Sequence, residues 1–330
     1  AAQQDVEQKL AGLEAGVYAK FQFVPGMAIE VDEHALQALA SLPNVRSLQE
    51  DVAQPPGMAS SNLVIGSDAA WAAGYDGTGQ VVAVLDTGVD KTHPYFNTGP
   101  NKVVSEACYS TNDAGSGATS VCPGGVTEST APGSGVNCDV AVAGCDHGTH
   151  VAGTVAGNDG VGPNYGVARG AELIAVQVFS RFDGSICTGF GLPDPCALTY
   201  GSDQIKGLER VYALRLTYPV ASANMSLGGG QYFDQASCDS ANALQKVAID
   251  NLRAVGIATA IASGNSGFTD SMGGPGCISS AVSVGATDDS DVVASFSNIA
   301  PFIDLLAPGV SITSSIPGGG TATWQGTSMA

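Results

Sequence analysis

Four short motifs carry the residues with chemical potential. Asp86 ends an apolar run in Leu85-Asp86-Thr87-Gly88, and a carboxylate at the mouth of a buried strand needs a partner to stay charged. Alone, it reads equally well as an Asp capping the following turn. Asp-Thr-Gly is also an aspartic-protease motif, but that chemistry needs two carboxylates sharing a proton; the chain has one Asp-Thr-Gly and no Asp-Ser-Gly. His147 lies in Asp146-His147-Gly148-Thr149-His150-Val151-Ala152-Gly153, whose small residues suit a helix packed tightly on a neighbour. The pair His147 and His150 permits a zinc reading, without a third ligand at a familiar spacing; His147 stands at the expected helix start and His150 is the structural member. Asn265, in Ser263-Gly264-Asn265, offers a side-chain amide that can donate to a developing oxyanion, and alone is a turn residue. Ser328, in Gly326-Thr327-Ser328-Met329-Ala330, occupies a Gly-flanked turn entering a helix, where a nucleophile gains access and a positive dipole end.

The elements that must position these residues are short apolar runs alternating with helical stretches. Val81–Leu85, Leu173–Phe179, Val220–Met225, Ile257–Ala262 and Ala281–Val284 read as doubly buried strands of a parallel sheet. Ser202–Leu216 and Asp239–Val255 read as helices, the second with Leu244, Val247, Ala248 and Leu252 on one face and Gly256 as its stop. The fold class is therefore α/β, a parallel sheet with helices on both faces. Ligands in such sheets bind at the carboxyl ends of the strands, where the polar motifs lie. Upstream, residues 1–57 read as a separate small α+β unit. It has strands over Val17–Val24 and Met27–Val31, a helix capped by Asp32 with Leu36, Leu39 and Ala40 inward, a strand over Asn44–Glu50 and a Gln54-Pro55-Pro56-Gly57 linker. Residues 58–330 form the second domain.

Composition narrows the classes. Only 13% of the 330 residues are charged and 44 are Gly, against roughly 25% and 7% in an ordinary globular domain, so the chain is compact and turn-dense. Twelve Lys+Arg against 31 Asp+Glu give −19, which repels phosphate and argues against nucleic-acid or anionic-membrane partners. The longest smooth apolar run, Ala254–Ala262, is interrupted by Gly256 and is far short of the roughly 20 residues a membrane helix needs. Eight cysteines without a C-x-x-C pair, all in Gly/Ser/Asn-rich loops after residue 100, read as disulfides of an oxidising compartment. Sequence does not choose their pairing; short loop spans motivate the nearest-neighbour set Cys108–Cys122, Cys138–Cys145, Cys187–Cys196 and Cys238–Cys277.

Asp86, His147 and Ser328 follow one another in the order that sets the subtilisin arrangement apart from other hydrolases. With Ser226-Leu227-Gly228-Gly229, Ser263-Gly264-Asn265, Ala307-Pro308-Gly309 and the His147–Gly153 and Gly326–Ala330 segments, the chain resembles the subtilisin-like serine proteases. The resemblance implies a subtilisin-like catalytic domain at 58–330 and, at 1–57, a ferredoxin-like propeptide acting as chaperone and intramolecular inhibitor. It implies Ser328 as nucleophile, His147 as general base, Asp86 as the residue fixing the imidazole, and Asn265 with the Ser328 N–H as oxyanion hole. Ser226, Leu227, Gly228 and Gly229 would form an edge strand for extended substrate. Gly264 and the 273–276 loop would line the primary pocket, which lacks a bulky charged residue and so favours large apolar side chains. The implied protein is a secreted, monomeric endopeptidase acting on polypeptides, with no cofactor for catalysis and structural Ca²⁺ held by loop oxygens of which none is matched individually. A non-catalytic peptide-binding protein is the alternative. The stretch Cys108–Cys145 looks lengthened against the family pattern. The chain is expected to be a piece of a longer precursor, because the family continues into a buried helix after its nucleophile and a secreted protease needs a signal segment.

Overall fold

The structure is a computed structural model that describes residues 2–10, 15–20, 27–45, 48, 58–163 and 165–330. The chain divides into two compact units, Ala1–Gln54 and Pro55–Ala330.

In the first unit, α1 (Ala2–Leu10) precedes an antiparallel pair of strands, β1 (Ala15–Lys20) and β2 (Met27–Val31), and α2 (Glu33–Ala40). Asp32 caps α2, accepting the Ala35 N–H at 2.7 Å. Leu10, Ala35 and Leu39 form the core, with Val6, Ile29, Val31 and Leu42 against them. Leu36, expected to face inward, is 44% exposed, because Ala35 and Leu39, four apart, define the inward face instead. Helix α1 was not legible from periodicity. Most of the strand expected at 44–50 and the whole linker at 54–57 lie outside the described residues.

The second unit begins with α3 (Met58–Val64) and α4 (Ser67–Ala72), then β3 (Val81–Asp86), β4 (Val103–Tyr109), β5 (Ala118–Ser120), β6 (Glu128–Ser129) and α5 (His147–Ala156). There follow β7 (Glu172–Gln177), β8 (Ser180–Phe182), α6 (Ser185–Gly189), β9 (Cys196–Leu198), α7 (Gly201–Leu214) and β10 (Val220–Met225). The last third holds β11 (Gly229–Tyr232), α8 (Gln235–Ala241), α9 (Ala243–Ala254), β12 (Ala258–Ala262), β13 (Met272–Gly274), β14 (Val282–Thr287), β15 (Leu305–Pro308), β16 (Ile312–Ile316) and β17 (Gly320–Trp324). The central sheet runs β15-β14-β12-β10-β3-β7-β4-β6. All its pairings are parallel except β4 with β6.

Strand β3 shows why the apolar runs are continuous. Val81, Ala83 and Leu85 enter one core with Leu208 and Val211 of α7 and Ile249 and Leu252 of α9, whereas Val82 and Val84 enter another with Val151, Ala152 and Ala156 of α5. Alternate residues of one strand thus fill both faces. The helix expected over Asp239–Val255 is two helices, α8 and α9, parted at Asn242. Its inward residues are Gln245, Ala248, Ile249 and Leu252, while Leu244 and Val247, expected inside, are 73% and 56% exposed. Gln245 donates to Gln204 of α7 at 2.6 Å, and that bond lets a polar residue take an inward place that hydrophobicity alone would not give it.

All four nearest-neighbour disulfides form. Their setting differs from expectation: every cysteine is buried, and Cys108, Cys187, Cys196 and Cys238 lie within strands or helices. Among the described residues, no helix is long and apolar enough to cross a membrane.

Candidate active site

Winding around β3 reverses direction: β7 lies on one side and β10 on the other, which makes the carboxyl end of β3 a topological switch point. Asp86 is the last residue of β3, Ser226 follows β10 and Ser263 follows β12, so three neighbouring strands deliver three of the sequence motifs to one end of the sheet.

Asp86 is fully buried, and its Oδ1 accepts the Thr87 backbone N–H at 2.7 Å and lies 2.8 Å from His147 Nδ1. His147 opens α5, and its side chain is 24% exposed. Two contacts bring the start of this helix onto the turn after β3. Thr87 Oγ1 accepts the Gly148 N–H at 2.9 Å, and Thr149 Oγ1 accepts the Asp90 N–H at 2.9 Å. Gly148 is required there, because a Cβ would overlap the Gly88 carbonyl oxygen and stand 3.1 Å from Asp86 Cβ. Burial works against the imidazolium of His147. The Asp86 charge, its hydrogen bond and Asp146 outweigh burial, and the pKa lies above the ordinary 6.5.

Ser328 approaches from the other side. Its hydroxyl donates to the Ser226 carbonyl at 3.4 Å, while the Ser226 hydroxyl donates to the Ser328 carbonyl at 2.9 Å. Asn265 Oδ1 accepts both the Thr327 N–H, at 2.8 Å, and the Thr327 hydroxyl, at 2.9 Å. An oxygen facing a backbone donor fixes which way the amide is turned, so Nδ2 is the free end; it lies 3.6 Å from where a Gly326 Cβ would stand.

The segment expected to bind peptide differs from the sequence reading. Of Ser226, Leu227, Gly228 and Gly229, only Gly229 lies in a strand, where it pairs with Gly274 of β13. A strand is defined by a hydrogen-bonded neighbour, and among the described residues no strand pairs with 226–228. A Cβ on Gly228, at φ 150°, would lie 2.6 Å from the Gly274 carbonyl. Gly264, at φ 106°, lies beside β13, whose Gly273 N–H donates to the Ser263 carbonyl at 2.9 Å.

One neighbour of the site, Trp324, escaped the sequence reading. Trp324 of β17 lies nearly parallel to both histidines, its ring centroid 4.3 Å from that of His150 and 6.4 Å from that of His147. A lone aromatic in a strand gives no signal of such stacking. His150 is buried, with Nε2 3.0 Å from the Ala322 carbonyl. Burial, reinforced by the His147 charge, pushes its pKa down to about 4 against that hydrogen bond. Among the described residues, no three His, Cys, Asp or Glu gather as a metal-holding group, so His147 and His150 have no third side-chain ligand of those types beside them.

Comparison with known proteins shows the family. The subtilase family model matches residues 77–330. The chain is 33% identical to subtilisin NAT of Bacillus subtilis subsp. natto and to subtilisin E of Bacillus subtilis (strain 168), each match covering 95% of this chain and 69% of the relative. Among solved structures, a cold adapted subtilisin-like serine proteinase matches at 32% identity with a TM-score of 0.51, over 78% of this chain and 72% of the other. An S41 psychrophilic protease matches at 28% identity and a TM-score of 0.55, over 77% and 73%. The chain belongs to the subtilase family of serine endopeptidases.

Proposed function

We propose that Ser328 is the nucleophile, His147 the general base and Asp86 its orienting partner in a peptide-bond hydrolysis that proceeds through an acyl-enzyme. The observation that carries this reading is the 2.8 Å contact between buried Asp86 Oδ1 and His147 Nδ1. It holds the proton on Nδ1 and leaves Nε2 free to accept, and the same carboxylate stabilises the imidazolium that forms next. The Ser328 hydroxyl turns from its 3.4 Å bond with the Ser226 carbonyl to give its proton to Nε2 as Oγ attacks; such bonds tighten when substrate arrives. His147 then protonates the leaving amine, and water repeats the sequence to release the acid. Asn265 Nδ2 and the Ser328 N–H, which donates no hydrogen bond among the described residues, receive the developing oxyanion.

Substrate lies extended along 226–229, pairing with backbone at 226–228 that no strand among the described residues engages, with Gly264 and residues 273–276 walling a pocket for large apolar side chains. A peptide library cleaved chiefly after Lys or Arg contradicts that preference. The first unit serves as an inhibitory propeptide of a monomeric enzyme, and the four disulfides fit secretion. Amino-terminal sequencing of the processed protein then finds a new end between about Gln54 and Ser61. The central test is labelling with a fluorophosphonate. The wild-type protein takes up one label and Ser328→Ala takes up none; a label retained in that variant, or absent from the wild type, rejects the assignment and favours a non-catalytic peptide binder.

A further inference from the structure

We propose that Asn298, between β14 and β15, is a positioning residue that sets the oxyanion donor Asn265; this rests on the role given to Asn265 above. Asn298 is 1% exposed and spends its hydrogen-bonding capacity on one short segment. Its Oδ1 accepts the N–H groups of Ser266, at 2.9 Å, and Phe268, at 3.1 Å. Nδ2 donates to the Ser263 carbonyl at 3.1 Å. Its backbone N–H donates to the Gly264 carbonyl at 2.9 Å, and its own carbonyl accepts the Ser263 hydroxyl at 2.7 Å. Apart from the adjacent Ser297 hydroxyl, which its carbonyl accepts at 3.4 Å, the partners lie between 263 and 268, on both sides of Asn265, and Asn265 itself is not among them.

The arrangement is specific to an asparagine. Two N–H groups require an acceptor at one end of the side chain and a carbonyl requires a donor at the other, which an amide alone of this size supplies. The contact is also close, since a Cβ on Gly264 would overlap Asn298 Nδ2. Asn265 is thus gripped twice. Asn298 holds the backbone that carries it, and Thr327 holds its Oδ1, which together fix the direction of Nδ2. An oxyanion donor is worth most when it is already aimed and needs no reorganisation during reaction. Loss of Asn298 leaves the donor present but loosely aimed, so its effect is bounded by the loss of the donor itself, on the order of 10²–10³ in kcat.

A double-mutant cycle on the protein with a chromogenic peptide substrate tests this. Asn265→Ala should lower kcat within that bound. Asn298→Ala should lower kcat on the order of 10-fold or more with KM changed far less, and should cost less than about threefold further when placed on Asn265→Ala, because coupled residues do not add. Losses that multiply in the double variant, or an unchanged kcat in Asn298→Ala, overturn the proposal. An unchanged kcat in Asn265→Ala instead overturns the oxyanion assignment beneath it. If Asn298→Ala does not fold, the same-sized Asn298→Asp, which keeps both acceptor bonds and loses the donor, carries the cycle with the same criteria. Failure of both to fold makes Asn298 a folding element and rejects the proposal.

Discussion

Gly148→Ala tests the geometry of the site at its tightest point. Local propensity favours the change, since Ala within a helix is about 1 kcal/mol better than Gly. Tertiary packing opposes it. The added Cβ would overlap the Gly88 carbonyl oxygen and stand 3.0 Å from the Thr87 nitrogen and 3.1 Å from Asp86 Cβ. Backbone atoms cannot rotate aside, and Gly88 is itself wedged, with Asn137 Cα 2.7 Å from where its own Cβ would be. Helix α5 must therefore retreat on the order of 1 Å to restore ordinary contact distances. That retreat stretches the 2.8 Å Asp86–His147 contact and the 2.9 Å Thr87–Gly148 bond beyond hydrogen-bonding range. A misplacement of that size costs on the order of 10²-fold in rate, or about 3 kcal/mol of transition-state stabilisation. The assay is kcat and KM on a chromogenic peptide, with thermal unfolding alongside. We expect kcat to fall about 10²-fold, KM to stay within a few fold and the protein to remain folded at the assay temperature. A kcat within threefold of wild type shows that the helix and turn are not held as tightly as the argument requires.

The histidines give two further expectations of opposite kind. On the proposed mechanism His147 must be neutral to accept the Ser328 proton, and its pKa is raised above 6.5, so kcat/KM falls on acidification with a midpoint above 6.5; a midpoint at or below that value contradicts the Asp86 pairing. The stabilising effect of that pairing runs the other way, complete below pH 6.5 and lost as pH rises through the raised value. His150, lowered to about 4, stabilises the fold while neutral. Its contribution is intact above pH 6.5 and lost as pH falls toward 4, about 3 kcal/mol at roughly 1.4 kcal/mol per unit. Urea unfolding at pH 7 and pH 4 should show a smaller acid penalty in His150→Gln than in wild type, and equal penalties count against burial as the cause.

The fold was legible wherever a single physical cause dominates the sequence. Val81–Leu85 falls in β3, which is buried along its whole length, because burial on both faces leaves no room for polar punctuation; Val220–Met225, expected to be doubly buried, is a strand to the residue but carries Ser222 and Asn224 and is buried only at Ala223 and Met225. Asp32 and Gly256 mark helix ends through local chemistry: a side-chain acceptor for an orphan N–H, and a backbone at φ 85°. The reading failed where partners decide. Leu244 was placed inside because it is apolar, yet Gln245 takes the inward place through its bond to Gln204, a partner 41 positions away that no periodicity reveals. At the site the four motif residues were legible as types in order. The tight packing at Gly148 was legible from the small residues around it, whereas Asn298 and Trp324 were not, since what they do depends on distances to remote backbone and rings.

The stretch that looked lengthened, Cys108–Cys145, shows the same limit most fully. Its tail grips the turn that carries Asp86. Gly135 accepts the Val89 N–H at 2.8 Å, and Thr87 accepts the Cys138 N–H at 3.2 Å. Glu106 pins both partners at once, pairing with Lys91 at 2.6 Å and accepting the Gly133 N–H at 2.7 Å. The Cys138–Cys145 disulfide then ties this grip to the residues that lead into His147. Asp86 and His147 are 61 positions apart, and a chain that long between two groups costs entropy to close, with the cost growing only slowly with length. Cross-linking it near both ends removes that freedom where it matters for the 2.8 Å contact. Backbone hydrogen bonds leave no side-chain signature, so composition reads the stretch as loop when its last residues act as part of the frame that holds His147 to Asp86.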